Sequence, residues 1–242
     1  MDRLKRMFTI GFLVLMIMPP VAALGKGYGN RHGGGGNQTG INTADVANYY
    51  APPDQTEVDD LVFMREEEKV ARDVYLEFYS LWKDPVFLAI SKSEERHMLS
   101  LKNLIDKYGI ADPVTGDTVG NFSDPELQGI YEQMVQEGTA FLLDALRVGA
   151  TIEDLDISDL QAALANTDNQ DIRTVYQNLM KGSRNHLRIF INRLSLLGIT
   201  YQPQYLDQEA FDAIIESAME KGRVDADGNP ANFGKRRKRG IR

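Results

Sequence analysis

Two stretches of this chain combine features that few folds accept together: the apolar stripe of a core-facing helix, with an imidazole set in its middle. Phe87, Ile90, Leu101, Leu104 and Ile105 recur at helical spacing, and Glu94 and His97 fall on or beside that stripe. Residues three apart on a helix differ by about 60° around the axis and about 4.5 Å along it, so this Glu-x-x-His can aim both groups at one point. Further on, Ile172, Val175, Tyr176, Leu179, Ser183, His186, Phe190, Leu194 and Leu197 share one face, with His186 in mid-stripe. An offset of 89 residues maps Phe87 to Tyr176, Ile90 to Leu179, His97 to His186, Leu101 to Phe190 and Ile105 to Leu194, so two of only three histidines occupy equivalent positions.

Each of these helices follows one that also carries acid on an apolar face. From about Asp54 to Trp82, positions 61, 64, 68, 71, 75 and 78 are Leu, Met, Glu, Ala, Tyr and Phe, which turns Glu68 inward, with Glu67 on the same face and Glu66 pointing away. Pro125 to Glu137 is helical, Gly138 interrupts, and Ala140 to about Ala165 forms a long helix with Glu153 and Asp156 in its apolar stripe. The pattern predicts an all-α fold, a duplicated helical hairpin folded into a four-helix bundle. The long segment ADPVTGDTVGNFSDPELQ crosses over between helices two and three, and a last amphipathic helix, Asp207 to Lys221, caps the bundle.

The flanks have a different character. Residues 1–23 read as a signal peptide: a basic start, an apolar run from Met7 to Met18, then Pro19-Pro20, with Val21 and Ala23 at the signal-peptidase positions. Export is therefore expected, and the alternative is an uncleaved N-terminal anchor, the only membrane contact the sequence suggests. Residues 24–53 are a glycine-rich linker in which His32 reads as solvated, 54–200 the bundle, 201–222 the C-terminal helix, and 223–242 a disordered basic tail with no core-forming pattern. The tail's DADGN resembles the start of a calcium loop but lacks the later glutamate. The net charge of −8 conceals a body at −16, once the +2 of residues 2–6 and the +6 of residues 235–242 are set aside. So acidic a body disfavours nucleic acid and concentrates cations. With no cysteine, any metal site must use nitrogen and oxygen ligands.

Burying Glu68, Glu94 and Glu153 in one core costs several kcal/mol for each carboxylate left uncompensated, on the order of 3–5 kcal/mol. The acids must protonate, pair with a buried base such as Arg72 or Arg96, or bind a metal ion. The two histidines favour metal over a purely structural polar network.

These residues resemble the ferritin-like di-iron carboxylate proteins, in which two helices each supply a Glu and two supply Glu-x-x-His. Glu68-Lys69-Val70-Ala71-Arg72-Asp73-Val74-Tyr75 looks like the first helix of rubrerythrin. The span from about Val58 to Leu197 is similar to an uncharacterised family within that superfamily, through MREEEKVARDVY, SEERHM, VGATIEDLDISDL and GSRNHLRIF. The resemblance implies a ferritin-like bundle and a metal site of Glu68, Glu94, His97, Glu153 and His186. Where the pattern calls for a sixth ligand this chain has Ser183. Asp156 is either the substitute or an ordinary surface acid, and the other possibilities are one metal or an asymmetric pair completed by water. Tyr75 and Tyr176 are supporting hydroxyls on this reading and plain core aromatics otherwise. The implied cofactor is iron, mono- or dinuclear, with manganese or zinc as alternatives. The implied chemistry is oxidation of Fe(II) or reduction of oxygen or peroxide, against a non-catalytic module with a vestigial or single-metal site. Nothing in the sequence specifies an oligomeric state.

Overall fold

The computed structural model describes residues 52–231; the expected signal peptide, most of the linker and the basic run from Lys235 lie outside them. Among the described residues there are six helices: α1 (Gln55–Trp82), α2 (Pro85–Tyr108), α3 (Pro125–Gly138), α4 (Leu142–Asn166), α5 (Gln170–Leu196) and α6 (Gln208–Glu216). Among the described residues there is no strand, only one isolated bridge between Val224 and Pro230. No helix there is long and apolar enough to cross a membrane.

Local chemistry sets the ends of the long helices. Asp54 and Glu57 close a capping box at the start of α1. Lys83, in the left-handed region at φ 54°, ends it, and Asp84 followed by Pro85 starts α2 at once. So short a link folds α2 back along α1. Thr167 to Asn169 do the same for α4 and α5, and Asn169 caps α5. This second link is tied to the first hairpin, because Thr167 Oγ1 and the Asn169 amide both donate to Glu57. The hairpins pack with α1 against α4 and α2 against α5, while α3 lies on α1 and α4.

The core has two layers. Tyr75, Phe78, Phe87 and Phe190 form an aromatic layer, with ring centroids 5.4–6.4 Å apart. Leu61, Met64, Leu101, Ile105 and Ile172, all fully buried, come from the opposite ends of the same helices, and Leu160 of α4 is equally buried. The acid- and histidine-bearing turns fall between the two.

The crossover of residues 110–124 is bound tightly to the outer face of α1. Lys69 Nζ donates to Asp73 Oδ2 (2.5 Å), Thr118 O (3.0 Å) and Asn121 O (3.2 Å). Arg72 bridges Asp73 and Asp117, and Arg65 holds Asp112. Glu66, expected from its outward position to lie in a solvated acidic patch, does point away from the core, but the crossover covers it and leaves it 7% exposed.

Two differences arise at the C-terminus. α6 stops at Glu216, short of the expected Lys221, because α5 captures the chain beyond it. Arg188 Nε donates to Ile214 O, Arg184 grips Glu220 through both oxygens, and the Asn185 side chain pairs with the Glu220 backbone. Nor is the segment after Gly222 patternless. Asn178 pairs with both backbone groups of Val224, burying Val224 and Ala226, and Asp225 Oδ1 closes the DADGN turn by accepting from the Asp227 and Asn229 amides.

Asp154, next to Glu153, points the other way and is fully buried. It accepts from Tyr201 Oη (2.9 Å) and from the amides of Gln204, Tyr205 and Leu206 (2.6–3.2 Å), which fixes the rotation of α4. Replacing it leaves buried amides without an acceptor. We expect Asp154→Ala to lower the unfolding free energy by about 3 kcal/mol or more, with Asp154→Asn losing less, as measured by urea denaturation.

Candidate metal centre

Each long helix contributes to one buried cluster, placed by the periodicity that builds the core: Glu68 from α1, Glu94 and His97 from α2, Glu153 and Asp156 from α4, Ser183 and His186 from α5. None is more than 8% exposed. Their ligating atoms form two triads, Glu68–Glu94–His97 and Glu94–Glu153–His186, each with its atoms within 4.8 Å of one another. Glu94 joins them, with Oε2 at 2.7 Å from His97 Nδ1 and Oε1 at 2.8 Å from His186 Nδ1. Glu68 Oε2 stands 3.2 Å from His97 Nδ1, and Glu153 Oε2 stands 3.4 Å from His186 Nδ1. The imidazoles stack at 5.8 Å. Both histidines thus present Nδ1 to a carboxylate pair, and the arrangement has an approximate two-fold character about Glu94.

Supporting groups fix these orientations. Tyr75 Oη donates to Glu153 Oε1 at 2.5 Å, in the role of a supporting hydroxyl. Tyr176 is fully buried in the core. Ser183 Oγ donates to Asp156 Oδ2 and lies 3.1 Å from Leu179 O. Asp156 is therefore no surface acid; it is buried beside the cluster, although outside both triads. Two glycines were not legible as site residues. A Cβ at Gly182 would lie 2.5 Å from His97 Nε2, and one at Gly149 would lie 2.5 Å from the Phe190 ring, so both allow a close approach of α5. Asp159, on α4 one turn beyond Asp156, interacts with Glu67 across the α1–α4 contact. The Asp-x-x-Asp spacing in the α4 stripe was the available signal.

The cluster carries more acid than base. Among the described residues no lysine or arginine pairs with Glu68, Glu94, Glu153 or Asp156: Arg72 is engaged with Asp73 and Asp117, and Arg96 is exposed. Glu68 Oε1 and Asp156 Oδ1 are buried without a hydrogen bond. Only the imidazoles offset the acids. Burial alone would lower the proton affinity of His186, yet Glu94 and Glu153 raise its pKa to about 10, and Glu68 and Glu94 likewise raise that of His97. Burial would raise Glu94, but the two histidines hold it well below the usual carboxylate range. Burial pushes Glu68 up to about 7, and burial with neighbouring acids raises Glu153 and Asp156. Both imidazoles are thus held toward the charged form, with Nδ1 facing carboxylate oxygens. A buried set of two nitrogens and three carboxylates, with unpaired oxygens, fits a borderline metal ion.

The fold and cluster define an all-helical protein with a two-lobed carboxylate–histidine site in its core. Comparison places it further. The chain belongs to the family described as an uncharacterized protein domain, DUF2202, whose profile matches residues 57–218. It is 50% identical over 171 residues to "Uncharacterized protein MJ0754" of Methanocaldococcus jannaschii, covering 71% of this chain and 92% of the relative. Its fold is similar to the crystal structure of hypothetical protein MJ0754 from Methanococcus jannaschii, with a TM-score of 0.69 at 49% identity over 70% of this chain and 97% of that one. None of these descriptions names a reaction.

The pKa shifts set a pH dependence for the protein in chelator. His186 is raised from 6.5 to about 10, so its stabilisation is fully present below pH 6.5 and lost as the pH climbs through about 10. Glu68, raised from 4.5 to about 7, acts in the same direction at lower pH. We expect the denaturation midpoint in chelator to fall steadily between pH 6.5 and 10. His186→Gln should flatten that slope.

Proposed function

We propose that this protein is an exported ferritin-like metal-binding protein. On this reading the two docked hairpins, with the long crossover between α2 and α3, are a ferritin-like four-helix bundle. Glu68, Glu94, His97, Glu153 and His186 hold iron, or manganese or zinc in its place. The observation that carries it is the pair of buried triads sharing Glu94, with no lysine or arginine paired to them among the described residues. A redox-active metal there supplies the electron-transfer chemistry for oxidising Fe(II) or reducing oxygen or peroxide. The chain's own residues do the rest. Glu94 offers one oxygen to each side, the histidines present Nδ1, and Tyr75 orients Glu153. The aromatic layer of Phe78, Phe87 and Phe190 closes one end of the site to water. Because the same Nδ1 atoms would ligate the metal, it would compete with their protons, and metal affinity would rise with pH. The basic, apolar N-terminal segment supports export.

One observation favours a single-metal, non-catalytic role. Ser183 stands where a sixth ligand would come, and its hydroxyl is committed to Asp156. Metal analysis and aerobic Fe(II) addition, followed by absorbance, separate the readings. We expect one to two metals per chain and accelerated oxidation; less than one metal per chain with no acceleration defeats the redox reading. Glu94→Ala and His186→Ala should each reduce metal content, and if neither does, the cluster is a structural polar network. Ser183→Glu should raise the stoichiometry toward two if the missing ligand limits binding. Gly182→Ala, normally favourable in a helix by about 1 kcal/mol, should instead displace His97 and weaken metal binding about tenfold or more.

A further inference from the structure

Glu66 precedes Glu68 by two residues and so points about 160° away from it around α1. It faces the crossover, not the inner cluster. Between α1 and residues 113–123 lies a cavity of about 270 Å³, walled in part by Glu66, Lys69, Thr115, Asn121 and Ser123. Glu66 is 7% exposed, and among the described residues its carboxylate makes no hydrogen bond and no ion pair. That carboxylate opens onto the cavity without a charged partner of its own.

The charged groups acting on Glu66 are Asp124, Lys69 and Asp112, and none of them is available as its partner. The Lys69 amine spends its donors on Asp73, Thr118 O and Asn121 O and lies 4.2 Å from the centre of the Phe122 ring. Asp112 is held by Arg65 and by the Val114 amide. Asp124 caps α3 through Oδ1. Lys69 and Arg72 balance Asp73 and Asp117, and Arg65 balances Asp112, which leaves Glu66 and Asp124 as the uncompensated charges at this cavity. Apart from the committed Lys69, the polar side chains of the wall offer oxygen: the Glu66 carboxylate, the Thr115 and Ser123 hydroxyls and the Asn121 amide.

We propose that the cavity under the crossover binds one hard divalent cation of the calcium class, with Glu66 as its charged ligand. Oxygen donors, irregular loop geometry and room for several waters suit an ion that takes six to eight oxygens at variable angles, and suit the strict octahedron of magnesium less well. The ion neutralises Glu66 and fastens the crossover to α1, on the opposite face from the inner cluster.

Calcium binding by equilibrium dialysis and thermal unfolding of the full chain test this, using wild type, Glu66→Gln, Glu66→Asp and Glu94→Ala. Wild type and Glu94→Ala should each bind one Ca²⁺ per chain, while Glu66→Gln weakens binding at least about tenfold. In chelator Glu66→Gln should be as stable as wild type or more so, because it removes an uncompensated charge. In calcium the wild-type midpoint should rise with the logarithm of ion concentration while that of Glu66→Gln stays level. Glu66→Asp keeps the charge with a shorter reach and should fall between them. Loss of Ca²⁺ binding in Glu94→Ala would assign the ion to the inner cluster and overturn the proposal. So would equal affinity in Glu66→Gln, or no binding by wild type below roughly 10 mM.

Discussion

The rest of the structure is arranged around one electrostatic problem: carboxylates from three helices meet in a buried core where, among the described residues, two imidazoles are what offsets them. Glu94 takes the central position, an oxygen toward each histidine. A charge this deep is tolerable only where every neighbour is held in place. The surrounding features follow from that need. Tyr75 steadies Glu153, Ser183 turns Asp156, and the glycines at 149 and 182 let α5 come close enough for His186 and His97 to reach.

Adjacent acids on one helix have separate tasks, set by the rotation of about 100° per residue. Glu66 faces the crossover, Glu67 reaches Asp159 across the α1–α4 contact, and Glu68 faces His97. On α4, Glu153 enters the cluster while Asp154 turns outward to fasten residues 201–206. Exchanging such neighbours would preserve composition and destroy both functions.

Much of this was legible from periodicity. The helical spacing around Glu94, His97, Glu153 and His186 names the residues that converge, because a regular helix converts sequence distance directly into direction. The bounds of α2 were equally open, since Pro85 and Gly109 are local signals. What escaped was non-local. The covering of Glu66 depends on Lys69 and Arg72 meeting a loop some 45–50 residues away. The early end of α6 depends on Arg188 and Asn185, and the burial of Val224 on Asn178. The bridging position of Glu94 is also three-dimensional, because an i, i+3 motif shows its own pair but not the second histidine. Ser183 stood out in the sequence, but its hydroxyl contact with Asp156 did not.

The shortness of the two hairpin links has a kinetic consequence. With two residues between α1 and α2 and three between α4 and α5, each hairpin closes through contacts near in sequence, the kind that form first. His97 has both of its carboxylates, Glu68 and Glu94, within the first hairpin, whereas His186 meets only Glu153 in its own and gains Glu94 when the hairpins dock. The part of the electrostatic penalty that comes from bringing Glu94 against Glu153 therefore falls on the docking step, after the helices exist. A cation that relieves it acts on the lifetime of the assembled core more than on the birth of its parts.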